Sequence, residues 1–196
     1  MQQLILNKVM NLKKRILVAG ASGGIGSAVC ELAREAGHEV VELNRGSFAA
    51  PLSGPFDAVV FATGLCSVEP LTRLTDEAFR EMFDVNCGLF VSLVRRLVQE
   101  RLFSPQGLRI VAISSVSAVE GWAGGAAYCA SKGALSAVCR ALDVELRPRG
   151  ISVVALEPRY VKTKMFDACA GRMGVNPVEA LSPRDFAKDV LNECCR

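Results

Sequence analysis

Tyr128 and Lys132 stand four residues apart in Tyr128-Cys129-Ala130-Ser131-Lys132. If the segment Ala126 to Leu146 is helical, that spacing puts both side chains on one face, a turn from each other. A free phenol titrates near pH ~10, and a nearby positive charge favours the phenolate and lowers that value. Such a pair could protonate a carbonyl oxygen as a hydride reaches its carbon. Most Tyr-x-x-x-Lys pairs are surface neighbours, so the chemistry depends on the elements that would position this one.

Those elements alternate along the chain. Arg15-Ile16-Leu17-Val18-Ala19 reads as a strand, Gly20 to Gly26 as a glycine turn, and the stripe Ile25, Val29, Leu32, Ala33, Ala36 as a helix ended by Gly37. Strand, glycine turn and helix form a dinucleotide-binding context, with the helix N-terminus offered to a pyrophosphate. Glu39–Leu43 is a second strand ending in Asn44-Arg45. A neutral Asn followed by Arg suits the 2′-phosphate of NADP better than the ribose of NAD; the alternative is a solvated loop arginine. Gly46 to Phe56 is loop-like, and Asp57–Ala62 is the next strand, closed by Thr63-Gly64. No helical pattern separates these strands, so one strand of a doubly wound sheet is expected to be missing.

A helical region capped by Thr75 is expected to run to Phe103, with Phe79, Phe83, Leu89, Leu93, Val94, Leu97 and Val98 on its apolar face and Asn86 inside it. Arg109–Ile113 is a strand that delivers Ser114 and Ser115 at its carboxyl end, and either hydroxyl could be the functional one. The strand Ile151–Leu156 leads into Glu157 to Thr163, and Ser182-Pro183 starts a last helix. The fold class is α/β, a single Rossmann-like doubly wound parallel sheet in reduced form. Residues 1 to 14 are an N-terminal extension, a short helix or tail, ahead of one domain over residues 15 to 196.

Composition bounds the rest. Of 196 residues, 51% are hydrophobic and 22% charged, with a net charge of +3 and no long basic run. That argues for a globular chain with no nucleic-acid footprint, and no apolar stretch nears the ~20 residues that span a bilayer. Cys30, Cys87, Cys129 and Cys139 fall in apolar or helical patterns, where cysteine acts as a small hydrophobe. The adjacent Cys194 and Cys195, with a single histidine in the chain, do not complete a zinc set. The reading is a reduced, cytoplasmic protein without metal, with His38 on a solvated turn.

Taken together, Gly20-x-x-x-Gly24-Ile25-Gly26, Asn86, Ile113-Ser114-Ser115, Tyr128-x-x-x-Lys132 and Pro158-x-x-Val161-x-Thr163 resemble the short-chain dehydrogenase/reductase family, from Ile16 through the final helix. The resemblance implies Tyr128 as proton donor or acceptor, Lys132 lowering its pKa and binding the nicotinamide ribose, and Ser115 bonding the substrate oxygen. Asn86 would hold a water linking Lys132 to solvent, or would be a helix-bend residue bonding neighbouring backbone. The cofactor, NADP(H) in preference to NAD(H), would lie against Gly20, Ser22, Gly24, Ile25, Gly26, Asn44, Arg45, Ala62, Thr63, Gly64, Tyr128, Lys132, Pro158, Val161 and Thr163.

The chain departs from the family pattern in four places. Ala62 stands where the family carries asparagine, and Arg159 where it carries glycine. The usual third strand with its helix, and the usual last strand, are expected to be missing. An open active site and an exposed edge at Ile151–Leu156 follow. The function implied is hydride transfer to or from a small carbonyl or alcohol substrate; the alternative is a weak or inactive NADP-binding sensor or partner protein. Association is expected with itself, as a homodimer or homotetramer, through the helices of Asn86 and Tyr128; Ala126, Ala127, Ala130 and Ala134 could serve that contact or pack on the sheet.

Overall fold

The computed structural model describes residues 13–174 and 177–196. The expectation for residues 1 to 12 lies outside the described residues. Strands covered on both faces must be apolar at nearly every position. Arg15–Ala19 (β1), Ala58–Phe61 (β3) and Leu108–Ile113 (β4) meet that demand, whereas Glu39–Leu43 (β2) and Ile151–Leu156 (β5) keep partly exposed positions. The less buried strands accordingly take the edges. The order is β2-β1-β3-β4-β5, and every neighbouring pair is parallel.

Six α-helices connect and cover these strands among the described residues: Gly24–Glu35 (α1), Asp76–Phe83 (α2), Leu89–Gln99 (α3), Ala126–Leu146 (α4), Lys164–Met173 (α5) and Pro183–Cys194 (α6). Successive strand residues point to opposite faces. Leu17, Val59, Phe61, Ile110 and Ala112 therefore meet α3 and α4 through Phe90, Leu93, Leu97 and Leu135. Ile16, Val18, Val60 and Val111 meet α1 and α6 through Val29, Ala33, Phe186 and Val190.

The sheet is the reduced one expected. Between β2 and β3 there is only the 3-10 turn Arg45–Ser47, and among the described residues the sheet ends at β5 on its other side. An edge strand leaves backbone groups unpaired. One of them, the Val153 N–H, donates to Asp143 Oδ1 of α4 at 2.9 Å.

Three local expectations are corrected. The helical region from Thr75 is capped as read, with Thr75 Oγ1 accepting from Ala78 N at 3.2 Å. It does not run unbroken to Phe103: a π turn over Asp84–Gly88 separates α2 from α3, and α3 ends at Gln99. The wider turn inserts a residue into the ladder and changes which face meets the sheet. Phe79 and Phe83 are consequently each 38% exposed, while Phe90 and Leu97 are fully buried. His38 is buried rather than solvated, its Nδ1 accepting from Lys14 N at 3.2 Å.

Phe90 meets Phe61 edge-on, with ring centroids 5.3 Å apart. Phe90→Ala is expected to cost about 3–5 kcal/mol, lowering the thermal midpoint by roughly 10 °C; a midpoint within a degree of the parent's would contradict the packing described.

Candidate active site

Parallel strands bring their carboxyl ends to one side of the sheet, and the loops that leave them surround a ligand crevice. Here the loops after β1, β3, β4 and β5, with the first two turns of α4 and one side of α5, enclose a cavity of about 540 Å³. Ser115, Tyr128 and Lys132 all line it.

Ser115 caps the 3-10 turn Val116–Ala118, its Oγ accepting from Ser117 N at 3.1 Å, and its hydroxyl is placed to favour the Tyr128 phenolate. Ser114 points elsewhere. Its Oγ donates to the Lys132 carbonyl at 3.1 Å and lies 2.8 Å from Ser136 Oγ, which in turn is 2.6 Å from Glu157 Oε1. Of the two serines, Ser115 is therefore the one beside Tyr128.

Lys132 is 5% exposed, and its ammonium donates to the Ile113 carbonyl at 2.7 Å. Burial pushes its pKa down to about 8. Tyr128 is affected in the opposite sense: burial of its hydroxyl raises its pKa, and among the leading influences only the Ser115 hydrogen bond lowers it. The lowering expected from Lys132 is not what the geometry gives. The ammonium lies 5.8 Å from the ring centroid and is directed at a backbone carbonyl instead. The Trp122 ring lies 6.2 Å from that of Tyr128 between centroids, and is held by its Nε1 donating to Ser117 Oγ at 3.1 Å.

The residues read as cofactor-binding fall into two groups. Gly20, Ser22, Gly24 and Ile25 line the cavity from the β1–α1 turn, Ala62, Thr63 and Gly64 from the end of β3, and Pro158, Val161 and Thr163 from the loop after β5. Gly26 and Asn44 act one layer back. A Cβ on Gly26 would lie 2.1 Å from the Gly20 carbonyl oxygen, so only glycine lets the turn close. Asn44 Oδ1 accepts from Ser22 N at 3.0 Å, bracing the glycine turn from the end of β2. Arg45 opens the 3-10 turn at that point; its side chain lies outside the described residues.

These residues fit a dinucleotide. No side chain among the described residues caps the N-terminus of α1, which leaves its first N–H groups facing the cavity for an anion. Gly20, at φ +86°, would place a Cβ 2.7 Å from the Ala62 carbonyl carbon, so the turn can lie against the end of β3 only as glycine. Thr63 Oγ1 is buried with no hydrogen-bond partner among the described residues, an acceptor or donor awaiting one.

Asn86 sits in the π turn with its side chain fully buried. Its Oδ1 accepts from Leu65 N at 2.6 Å, and its Nδ2 donates to the Leu65 carbonyl and to Ser131 Oγ, each at 2.9 Å. Both amide hydrogens are engaged, and the side chain joins the π turn to Leu65 and Ser131. Sequence reading missed Ser131, Ser136, Glu157 and Trp122, none of which carries a spacing signal, and also Cys66 and Cys169, which line the cavity. Cys66, two residues past Gly64, was within reach of inspection. Among the described residues no group of three or more His, Cys, Asp or Glu side chains could hold a metal ion, and no helix is long and apolar enough to cross a membrane.

Comparison with known proteins agrees with this geometry. The sequence profile described as short chain dehydrogenase matches residues 47–173. The 3-oxoacyl-[acyl-carrier-protein] reductase of Rickettsia felis is 30% identical over 182 residues, covering 79% of this chain and 75% of that protein. The D-erythrulose reductase of Gallus gallus is 29% identical over 181 residues, covering 78% and 73%. In structure, a short chain dehydrogenase family protein from Francisella tularensis superposes with a TM-score of 0.78 at 20% identity, over 92% of this chain and 90% of that one. A 3-ketoacyl-(acyl-carrier-protein) reductase from Brucella melitensis complexed with NADH superposes with a TM-score of 0.76 at 21% identity, over 92% and 90%. The chain belongs to the short-chain dehydrogenase family, and is an oxidoreductase acting on CH–OH and C=O groups.

Lys132 also predicts a pH dependence. Its native pKa, about 8, lies below the ordinary 10.5, so the charged form is disfavoured in the folded state. The resulting loss of stability is fully present below pH ~8 and is relieved as pH rises toward the unfolded value. Tyr128 and the buried thiols are raised and act oppositely, and comparison of the parent with Lys132→Met removes the part of their effect that does not depend on Lys132. From pH 7.5 to 9.5 the parent should gain several degrees of thermal midpoint relative to the variant, at about 1.4 kcal/mol per pH unit; parallel midpoints would show that Lys132 is not buried as a cation.

Proposed function

We propose that the protein transfers a hydride between NADP(H) and a small carbonyl or alcohol, with Tyr128 as the general acid or base. The observation that carries this reading is the meeting of the Ser115 hydroxyl, the Tyr128 phenol and the Lys132 ammonium in one cavity with the uncapped start of α1. The dinucleotide, held by the β1–α1 turn, Thr63 and Thr163, supplies or takes the hydride.

The chain's residues handle the oxygen. Ser115 orients the substrate oxygen beside the phenol. In reduction Tyr128 gives its proton to that oxygen, and its raised pKa keeps the proton available at neutral pH. Lys132, close by, is itself near its own titration point, so it can take part in resupplying the proton. In oxidation the Tyr128 phenolate takes the alcohol proton. Asn44-Arg45 at the end of β2 favours NADP(H) over NAD(H).

The exposed Phe79, Phe83 and Val91 on α2 and α3 support association of two or four copies through these helices. The abundance of free thiols supports a cytoplasmic location. Nothing in the cavity selects one substrate, but its lining carries cations and no carboxylate.

Two variants test the reading. Tyr128→Phe is expected to lose about 10²–10⁴-fold in turnover with a ketone and aldehyde panel followed at the cofactor's absorbance, while still binding NADPH; a variant as active as the parent would falsify the proton-donor role. Arg45→Asp should weaken NADPH relative to NADH by on the order of tenfold in calorimetric titration, and an unchanged ratio removes Arg45 from cofactor choice.

A further inference from the structure

Two thiols in the cavity take no part in the chemistry above. Cys66 comes from the loop after β3, and Cys169 faces it from α5. They are 103 residues apart in sequence, yet Cys169 Sγ lies 3.8 Å from the Cys66 carbonyl oxygen, and a charge on either thiol would work against the other. Both are free. Other contacts between these two walls are weak. Arg172 of α5 donates to the Val68 carbonyl at 3.2 Å and approaches Glu69 at 3.8 Å, the latter a largely exposed pair. The polar contacts named here between α5 and the loop after β3 are few and weak.

We propose that Cys66 and Cys169 form a redox pair whose oxidation by a hydroperoxide closes the catalytic cavity, by bonding α5 to the loop after β3. A thiolate of the pair attacks the peroxide and breaks its O–O bond, giving a sulfenic acid and releasing an alcohol or water. The second thiol then displaces water from that sulfur and forms the S–S bond. Two thiols lose two hydrogens and two electrons in all, and the peroxide becomes alcohol and water. Bond formation brings the two sulfurs to about 2.05 Å. Burial holds the Cys66 thiol protonated at neutral pH, so thiolate is scarce and the pair answers sustained oxidant rather than traces. The bond is reversed by thiol exchange. Closing the site matters only if the cavity turns over substrate as proposed above, so the test reads the bond and the motion separately from activity.

The parent is treated with hydrogen peroxide, remaining thiols are alkylated, and the digest is mapped by mass spectrometry. The expected result is a Cys66–Cys169 linked peptide, a fall of two hydrogens in intact mass, slower amide exchange over residues 164–173, and loss of most turnover that dithiothreitol restores. Cys169→Ser, treated alike and compared with its own untreated sample, should keep its turnover. Absence of the linked peptide overturns the proposal whether or not the variant folds. A linked peptide with neither slowed exchange nor lost turnover overturns the clamp. Linked peptide and slowed exchange in a protein whose reduced form has no turnover uphold the clamp and instead reject the hydride-transfer reading.

Discussion

A buried ammonium governs the site. Lys132 is almost wholly removed from water, and placing a cation there costs several kcal/mol unless its protons find acceptors. The Ile113 carbonyl, 2.7 Å away, is one such acceptor, and it is the last residue of β4. The bond therefore ties α4 to the end of the central part of the sheet. Because Tyr128 is one turn before Lys132 and Ser115 two residues after Ile113, one hydrogen bond sets the phenol against the serine. The partial discharge of Lys132 and the raised pKa of Tyr128 are two consequences of the same exclusion of water.

Around this contact the chain places three serines, an asparagine and the Glu157 carboxylate. Ser131 donates to the Tyr128 carbonyl at 2.8 Å and accepts from Asn86, which grips the backbone of Leu65. Ser114, Ser136 and Glu157 bond in sequence beneath the lysine's own carbonyl. Each polar group in this layer has a partner, as burial demands. Thr63 Oγ1 is the departure, and it faces the cavity. The π turn belongs to the same design, since a regular helix from Asp76 to Gln99 would carry Asn86 on a different heading from Leu65 and Ser131.

Much of this was legible beforehand because it is local or periodic. The strand, glycine turn and helix, the apolar runs of β1, β3 and β4, the caps Thr75 and Ser182, and the limits of α4 all follow from neighbours in sequence. The short connection after β2 announced the reduced sheet for the same reason. What was not legible depends on contacts between distant segments. The insertion at Asp84–Gly88 leaves no mark in the apolar period of the flanking helices. His38 gains its burial from Lys14 and Cys195, and Cys66 meets Cys169 only when α5 folds over the loop after β3. The direction of the Tyr128 shift was misjudged because spacing shows that a cation is near but not where it points.

The most direct test of hydride transfer at this site is a crystal structure of the protein soaked with NADPH. The expected result is a pyrophosphate on the N-terminus of α1, Thr63 Oγ1 newly partnered, and a nicotinamide ring within reach of Tyr128 and Ser115. A dinucleotide bound elsewhere, or a nicotinamide directed away from the phenol, contradicts it.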